Sequence, residues 1–334
     1  MFRERQITVF PTYGYRTAGV WTIPLRIWVH KPRHVDFVPD DLIRVLLDDA
    51  GTLKEHEVIR CRECIADFIA DDDSGETVTF KLDAGDETHR FDAKTDHNGL
   101  VEEKFEVPGH LSGWLTITAE VKGLFGKTHS GVGRARLIEP VGKSVVSDID
   151  DTIKVSEIPA GTGIVLRNTF LRDYVAAEGM LERYRGLGDV SFHYVSGSPW
   201  QLFRLLHTFL VEKGGFPEVT FHMKSLRKNP LDLHGFLHDL KNFVAGKAYT
   251  KEQKIEQITE LMNNLPERVF TLIGDSGELD PEVFTEIRAQ RPAKQVEKIV
   301  IRDVVGARTS APDRLRAVDE IIDAPLVSHG KSQF

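Results

Sequence analysis

Cysteine is nearly absent from this 334-residue chain, which has only Cys61 and Cys64. Two cysteines build no disulfide framework, and a reducing, cytoplasmic location is the expectation. The pair forms a CxxC without a second pair, too few ligands for structural zinc. Cys61 falls on an apolar helical stripe, so a buried free thiol is expected. Long apolar runs are also missing, and none reaches the length of a bilayer span. The opening "MFRERQITVF" has charges where a secretory signal has its apolar stretch, which speaks against secretion. Positive charge is in deficit: 43 Lys and Arg face 51 Asp and Glu, a net charge of −8. General nucleic-acid binding, which calls for a basic domain, is disfavoured. No internal repeat or low-complexity tract is visible.

Patterned apolar residues are plentiful, at 41% of the chain. The length predicts two domains. In "VWTIPLRIWVH", Trp21, Ile23, Leu25, Ile27 and Val29 alternate with Thr22, Pro24, Arg26, Trp28 and His30. Leu115, Ile117, Ala119 and Val121 alternate in the same way, as do Val78, Phe80 and Leu82. Period two with one polar face predicts half-buried antiparallel strands. "TDHNGL" reads as a turn in which Gly99 takes positive φ. Val58, Cys61, Ile65, Phe68 and Ile69 share a helical face. Residues 1–140 are therefore expected to form an antiparallel β-sandwich with a helical insert. Beyond "RLIEP" short apolar runs alternate with helix-like stretches, which predicts an open parallel sheet with helices on both sides over residues 141–334. The boundary near Pro140 reads as a composition shift, not a flexible linker.

Three of those runs end in chemistry: Asp148-Ile149-Asp150, Ser196-Gly197-Ser198 and Gly274-Asp275. Ligand sites in open α/β sheets form beyond the carboxyl ends of the strands. Clustered carboxylates, a hydroxyl and an ammonium suit phosphoryl transfer, with Mg²⁺ held by oxygen ligands and an aspartate as nucleophile. For the ammonium, spacing alone leaves Lys247, Lys251 and Lys254 as rivals. Ser198 also fits a helix N-cap, with Pro199 opening the helix and Leu202, Leu205, Leu206 and Phe209 on its apolar face. Asp280 before Pro281 fits an N-cap too.

These motifs resemble the haloacid-dehalogenase-like (HAD-like) phosphatases. Asp148-Ile149-Asp150-Asp151-Thr152 resembles their DxDxT signature, "YVSGSPW" the second motif, "QKIEQI" the lysine motif and "GDSGELD" the GDxxxxD metal motif, all in the right chain order. Four motifs in order are far more specific than one. "VSDIDDTIK", "RNTF", "YVSGSPW" and "LIGDSGELDPEVF" are similar, more narrowly, to the catalytic domain of the actin-patch phosphatidate phosphatase family, over roughly residues 141–305. Where that family usually has a small Gly-containing loop, this chain reads "GFPEVTFHMKSLRKNP".

The resemblance implies Mg²⁺-dependent hydrolysis of phosphatidate to diacylglycerol and phosphate through an aspartyl-phosphate. Asp148 would be nucleophile and metal ligand. Asp150 would be general acid and then base, with its backbone carbonyl toward the metal. Ser196 would donate to the phosphoryl group and Lys254 would neutralise it, keeping Asp148 ionised. Asp275 would bind the metal, and Asp280 would both cap the helix and reach the metal through water. Thr152 would support the loop by hydrogen bonding. Gly197 and Ser198 would help hold phosphate, and Arg167 would reach the phosphate or headgroup or form a surface salt bridge. Asp151 is expected to be a solvated or capping acid. The stretch between Asp148 and Ser196 is too short for a large cap domain, and an open site suits a membrane-borne substrate or a phosphoprotein.

Residues 222–254 form a basic stretch with apolar residues at helical spacing, Phe236, Leu237, Leu240, Phe243 and Val244. It suits peripheral contact with an anionic lipid surface, although an ordinary helix packed on the sheet with a solvated face is the commoner explanation of such a pattern. Two other functions compete: a phosphatase for a soluble phosphoester or phosphoprotein, and an inactive adaptor whose sandwich binds a partner.

Overall fold

The computed structural model describes residues 4–32, 43–44, 53–84, 87–123, 126–218, 220–224 and 247–324. The front part holds β1 (Gln6–Val9), β2 (Thr12–Thr17), β3 (Val20–Lys31), helix α1 (Glu55–Ala66), β4 (Asp71–Asp72), β5 (Thr77–Ala84), β6 (Glu87–Lys94), β7 (Leu100–Pro108), β8 (Gly113–Lys122) and β9 (Thr128–Leu137). The strands follow the order β1-β3-β2-β9-β8-β5-β6, with β4 and β7 also on β3. All these pairs are antiparallel except β2 with β9, which run parallel. The end of β2 pairs with β3 and its start with β9, so one strand joins two antiparallel groups.

Trp21, Ile23, Leu25, Ile27 and Val29 of β3 meet Val78, Phe80 and Leu82 of β5 and Ile117, Ala119 and Val121 of β8 in one core. This is what alternation dictates when one face of each strand is removed from water. Gly99 makes the turn before β7 at φ 69°. A Cβ there would sit 2.3 Å from the Val29 carbonyl oxygen, so this position needs glycine for space as well as for φ.

The second part carries β10 (Gly142–Ser147), α2 (Thr162–Phe170), α3 (Met180–Arg185), β11 (Ser191–Pro199), α4 (Phe203–His207), β12 (Thr220–Lys224), α5 (Lys247–Asn264), β13 (Arg268–Asp275), α6 (Asp280–Gln290), β14 (Val296–Asp303), α7 (Ala307–Ser310) and β15 (Glu320–Asp323). Its six strands are all parallel, in the order β12-β11-β10-β13-β14-β15. Neighbouring residues on each strand serve opposite faces. Val145, Tyr194, Ile273 and Val300 pack with Leu166 and Phe170 of α2 and Leu206 after β11. Val146, Val195, Leu272 and Ile301 pack with Ile258, Leu261 and Met262 of α5 and Val283, Phe284 and Ile287 of α6. The strand order reverses between β10 and β13, where such a sheet opens a crevice at its carboxyl edge.

The two parts are joined firmly. Arg268 donates to the carbonyls of Glu139 at 2.8 Å and Val141 at 3.1 Å, tying down the connection around Pro140. Trp28 and His30, on the face of β3 expected to be polar, are both buried. Trp28 meets Trp200 edge-on at 4.5 Å and Phe10 packs on Phe203 at 4.8 Å. Cys61, Cys64 and Ile65 of α1, with Phe68 and Ile69 just beyond it, enter the same core as α2. Both thiols are free and buried, and burial pushes Cys61 up to about 12. Among the described residues no helix is long and apolar enough to cross a membrane. Most of the basic stretch, residues 225–246, lies outside the described residues.

Candidate active site

Asp148 leaves the end of β10 with its N–H on the Ile273 carbonyl of β13, at 2.9 Å. The crevice thus opens directly on the first acid of DxDxT. Asp148, Asp275 and Asp280 each offer a carboxylate oxygen, all within 4.8 Å of one another, and all three are buried. Lys254 of α5 reaches the group with Nζ 2.7 Å from Asp148 Oδ1, 2.8 Å from Asp280 Oδ1 and 3.1 Å from Glu278 Oε2. Its rival Lys251 pairs with Glu286 at 3.1 Å. The side chain of Lys247 lies outside the described residues.

Four acids surround that one ammonium. Burial, opposed by Lys254 but reinforced by Asp280 and Glu278, pushes Asp148 well above the usual carboxylate range. Burial and the same neighbouring acids do this to Asp275. Lys254 opposes that rise at Asp148, as the sequence reading expects, against the burial and the neighbouring acids. Asp148 Oδ2 and Asp275 Oδ2 are buried with no hydrogen-bond partner among the described residues. Excess negative charge and orphaned carboxylate oxygens are what a hard cation with oxygen ligands satisfies, so the triad fits a metal ion.

GDxxxxD achieves this by a tight return. Asp275 Oδ1 accepts the N–H groups of Gly277 at 2.6 Å and Glu278 at 3.1 Å. Asp280 Oδ2 accepts the Asp275 N–H at 3.2 Å. Asp280 is the first residue of α6, not its N-cap; Leu279 holds the cap position and makes no side-chain cap. Its carboxylate turns back to the strand end instead of forward to the helix.

Asp150 stands apart from the acidic group. Its Oδ1 accepts from Lys154 Nζ at 2.7 Å and Ser156 Oγ at 2.6 Å, and its Oδ2 from Ser198 Oγ at 3.0 Å and Ser196 Oγ at 3.3 Å. Burial alone would raise this carboxyl, but the Lys154 charge and the hydrogen bonds from Lys154, Ser156 and Ser198 bring it down to about 2. Ser198 is not the expected N-cap. β11 runs through Pro199, and a 3₁₀ turn, Trp200–Leu202, begins only then. The pairing of β11 with β12 skips from Ser196 to Pro199. The resulting bulge re-aims the Ser198 hydroxyl toward Asp150. Gly197 lies in it, half-buried.

Asp151 is buried, not solvated. At φ 56° its carboxylate caps a loop, accepting the N–H groups of Ser156, Glu157 and Ile158 at 2.8, 2.7 and 2.6 Å. Thr152 Oγ1 is buried without a hydrogen bond among the described residues, so the expected loop support comes from Asp151. Arg167 is half-buried on α2. The "RNTF" residue that holds the loop is its neighbour Asn168, whose Nδ2 donates to the Ser156 carbonyl at 3.0 Å and to Glu157 at 2.8 Å. Lys154, Ser156 and Glu278 are site residues that motif reading did not single out. Lys154 ends the run "DIDDTIK", but only the folded loop brings it onto Asp150.

Residues 143–303 match the family described as phosphatidate phosphatase APP1, catalytic domain. That stretch is just under half of the chain. Phosphatidate phosphatase APP1 of Saccharomyces cerevisiae is 30% identical over 198 residues, 57% of this chain and 31% of its own length. An uncharacterized protein of Schizosaccharomyces pombe is 30% identical over 168 residues, 49% of this chain and 26% of its own. The chain thus spans about a third or less of these relatives. Among solved structures, a family two carbohydrate esterase from Cellvibrio japonicus aligns over 89% of this chain and 86% of its own, with 10% identity and a TM-score of 0.24. That likeness is too slight to bear on fold or chemistry. The matched stretch contains every residue of the site described above, from Asp148 to Asp280.

Proposed function

We propose that this protein is a Mg²⁺-dependent phosphatidate phosphatase, with a HAD-like catalytic domain over residues 141–334 and an amino-terminal β-sandwich. The observation that carries the reading is the meeting of Asp148, Asp275 and Asp280 at one buried point, with Lys254 on one side and, two residues after Asp148, Asp150 bonded by Ser196 and Ser198 of β11. The strand order of the parallel sheet and its two covered faces support the fold assignment.

Asp148, Asp275 and Asp280 would hold the ion. When bound, it offsets the repulsion between anionic carboxylates and an anionic phosphate. Asp148 attacks phosphorus through one carboxylate oxygen and forms an aspartyl-phosphate. Ser196 and Lys254 donate to the phosphoryl oxygens as charge spreads over them. Asp150 gives a proton to the leaving alkoxide and then takes one from the attacking water. On the bare protein Asp150 is a carboxylate at neutral pH. Two changes favour its protonation as substrate arrives: the dianionic ester approaches, and Ser196 and Ser198 turn from Asp150 to the phosphate.

The test is phosphate release from phosphatidate in mixed micelles, from glycerol 3-phosphate and from a phosphopeptide, each with Mg²⁺ and with chelator. Release is expected from phosphatidate with Mg²⁺, and its loss on the order of 10³-fold or more in Asp148→Asn. Faster release from the soluble ester or phosphopeptide would reassign the substrate. No release from any ester would favour an adaptor.

A further inference from the structure

Lys154 has a side chain 2% exposed. An ammonium is stable there only if it is paired and hydrogen-bonded. Its ion pair is with Asp150 Oδ1 at 2.7 Å, it also donates to Ser156 Oγ, and it sits 5.0 Å from the Tyr174 ring centre. Lys254 serves Asp148, Asp280 and Glu278 instead. The two buried lysines therefore divide the site between them.

The loop builds this contact into its own backbone. The Asp151 N–H donates to the Lys154 carbonyl at 2.7 Å and the Lys154 N–H to the Ile149 carbonyl at 3.0 Å, which folds Lys154 back on Asp150. Asp151, through its carboxylate, fixes the Ser156 backbone at 2.8 Å, and Ser156 Oγ reaches the same Oδ1 of Asp150. Both fixed donors take Oδ1. Oδ2 is left facing Ser196 and Ser198, the hydroxyls that would meet the phosphate in the reading above.

We infer that Lys154, with Ser156, is a positioning residue that locks the Asp150 carboxylate so that Oδ2 alone exchanges a proton with the substrate. The inference rests on the phosphatase reading above. In the step concerned, a bond forms between Asp148 and phosphorus while the bond from phosphorus to the leaving oxygen breaks. The proton on Asp150 Oδ2 passes to that oxygen. An alkoxide needs this proton to leave, whereas p-nitrophenolate does not. A clamp on Asp150 therefore shows in how kcat/KM depends on the leaving group, since kcat/KM reports the transfer step and not the later attack of water.

The experiment measures kcat/KM for phosphatidate, glycerol 3-phosphate and p-nitrophenyl phosphate in wild type, Lys154→Met, Lys154→Arg and Ser156→Ala. Lys154→Met is expected to lose on the order of 10²-fold on the alkyl esters and several-fold less on the aryl ester. Lys154→Arg should recover part of the alkyl loss, and Ser156→Ala should show the same leaving-group signature more weakly, even if Lys154→Met fails to fold. Equal losses across the three esters in the folded variants would overturn the inference. If wild type hydrolyses none of them, the phosphatase reading fails, and a crystal structure of Lys154→Met or Ser156→Ala then decides the clamp alone. An Asp150 carboxylate turned away from Ser196 and Ser198 supports it, and an unmoved one overturns it.

Discussion

Gly274 has no side chain because Asp280 fills that space: a Cβ there would lie 2.3 Å from Asp280 Oδ2. Gly274→Ala should push Asp280 off the Asp275 N–H and open the acidic triad. Mg²⁺ affinity measured by calorimetry is expected to fall about 10- to 100-fold, as when a ligand loses its support. Unchanged affinity in the folded variant would mean that Asp280 does not need this seat. Motif spacing made Asp148, Asp275 and Asp280 readable in advance, since they sit at or just beyond strand ends, whereas Lys254 was picked from three lysines only by the family resemblance. Lys154 and Glu278 were not readable, because their roles arise from partners that only the folded loop brings near. The cap expected at Asp280 failed for a similar reason. Local preference favours an aspartate ahead of a helix, but its carboxylate found the Asp275 N–H behind it.

The segment after β11 winds in three ways in turn: a 3₁₀ turn at Trp200–Leu202, α4, and a π segment at Thr208–Lys213. An α-helical period places Phe209 with Leu202 and Leu206 on the buried face. The wider π turn shifts the phase by about one residue, so Leu210 is fully buried and Phe209 only partly. Leu210→Ala should destabilise by about 3 kcal/mol and Phe209→Ala by less, as read from urea unfolding. A larger loss at Phe209 would restore the unbroken α-helix. The bulge in β11 was equally hidden in the sequence. "SGSP" signals a turn, but only pairing with β12 shows that the strand continues to Pro199 with Gly197 and Ser198 pushed out.

Alternating patterns made both sheets legible, and the crevice followed from strand order. The contact between the two parts of the molecule was not legible, because alternation marks Trp28 as outward and yet its ring meets Trp200 of the second part. That contact includes two histidines. His193 hydrogen-bonds Thr220 Oγ1 at 2.7 Å, and both His193 and His222 pack on Tyr13 of β2. Burial, with His222 and Arg268 nearby, holds His193 well below the ordinary histidine range. Burial, partly opposed by Glu260 and aided by Arg26, brings His222 down to about 4. These depressed values mean that the unfolded chain binds protons first, so stability is full above about pH 6.5 and is lost as pH falls toward 4. Unfolding free energy should drop by about 1–3 kcal/mol between pH 7 and 4.5, and His193→Asn, which keeps a partner for Thr220, should flatten the slope. A slope unchanged in that variant would place the acid sensitivity elsewhere.

The central claim is that Asp148 is the atom donor to phosphorus. It is tested most directly by quenching the protein during turnover of phosphatidate with Mg²⁺, reducing it with borohydride and mapping it by mass spectrometry. An acyl phosphate is converted to homoserine, which is expected at position 148 and is expected to vanish when substrate or divalent ion is withheld. Steady phosphate release with Asp148 unmodified, or with homoserine at another aspartate, would contradict the account.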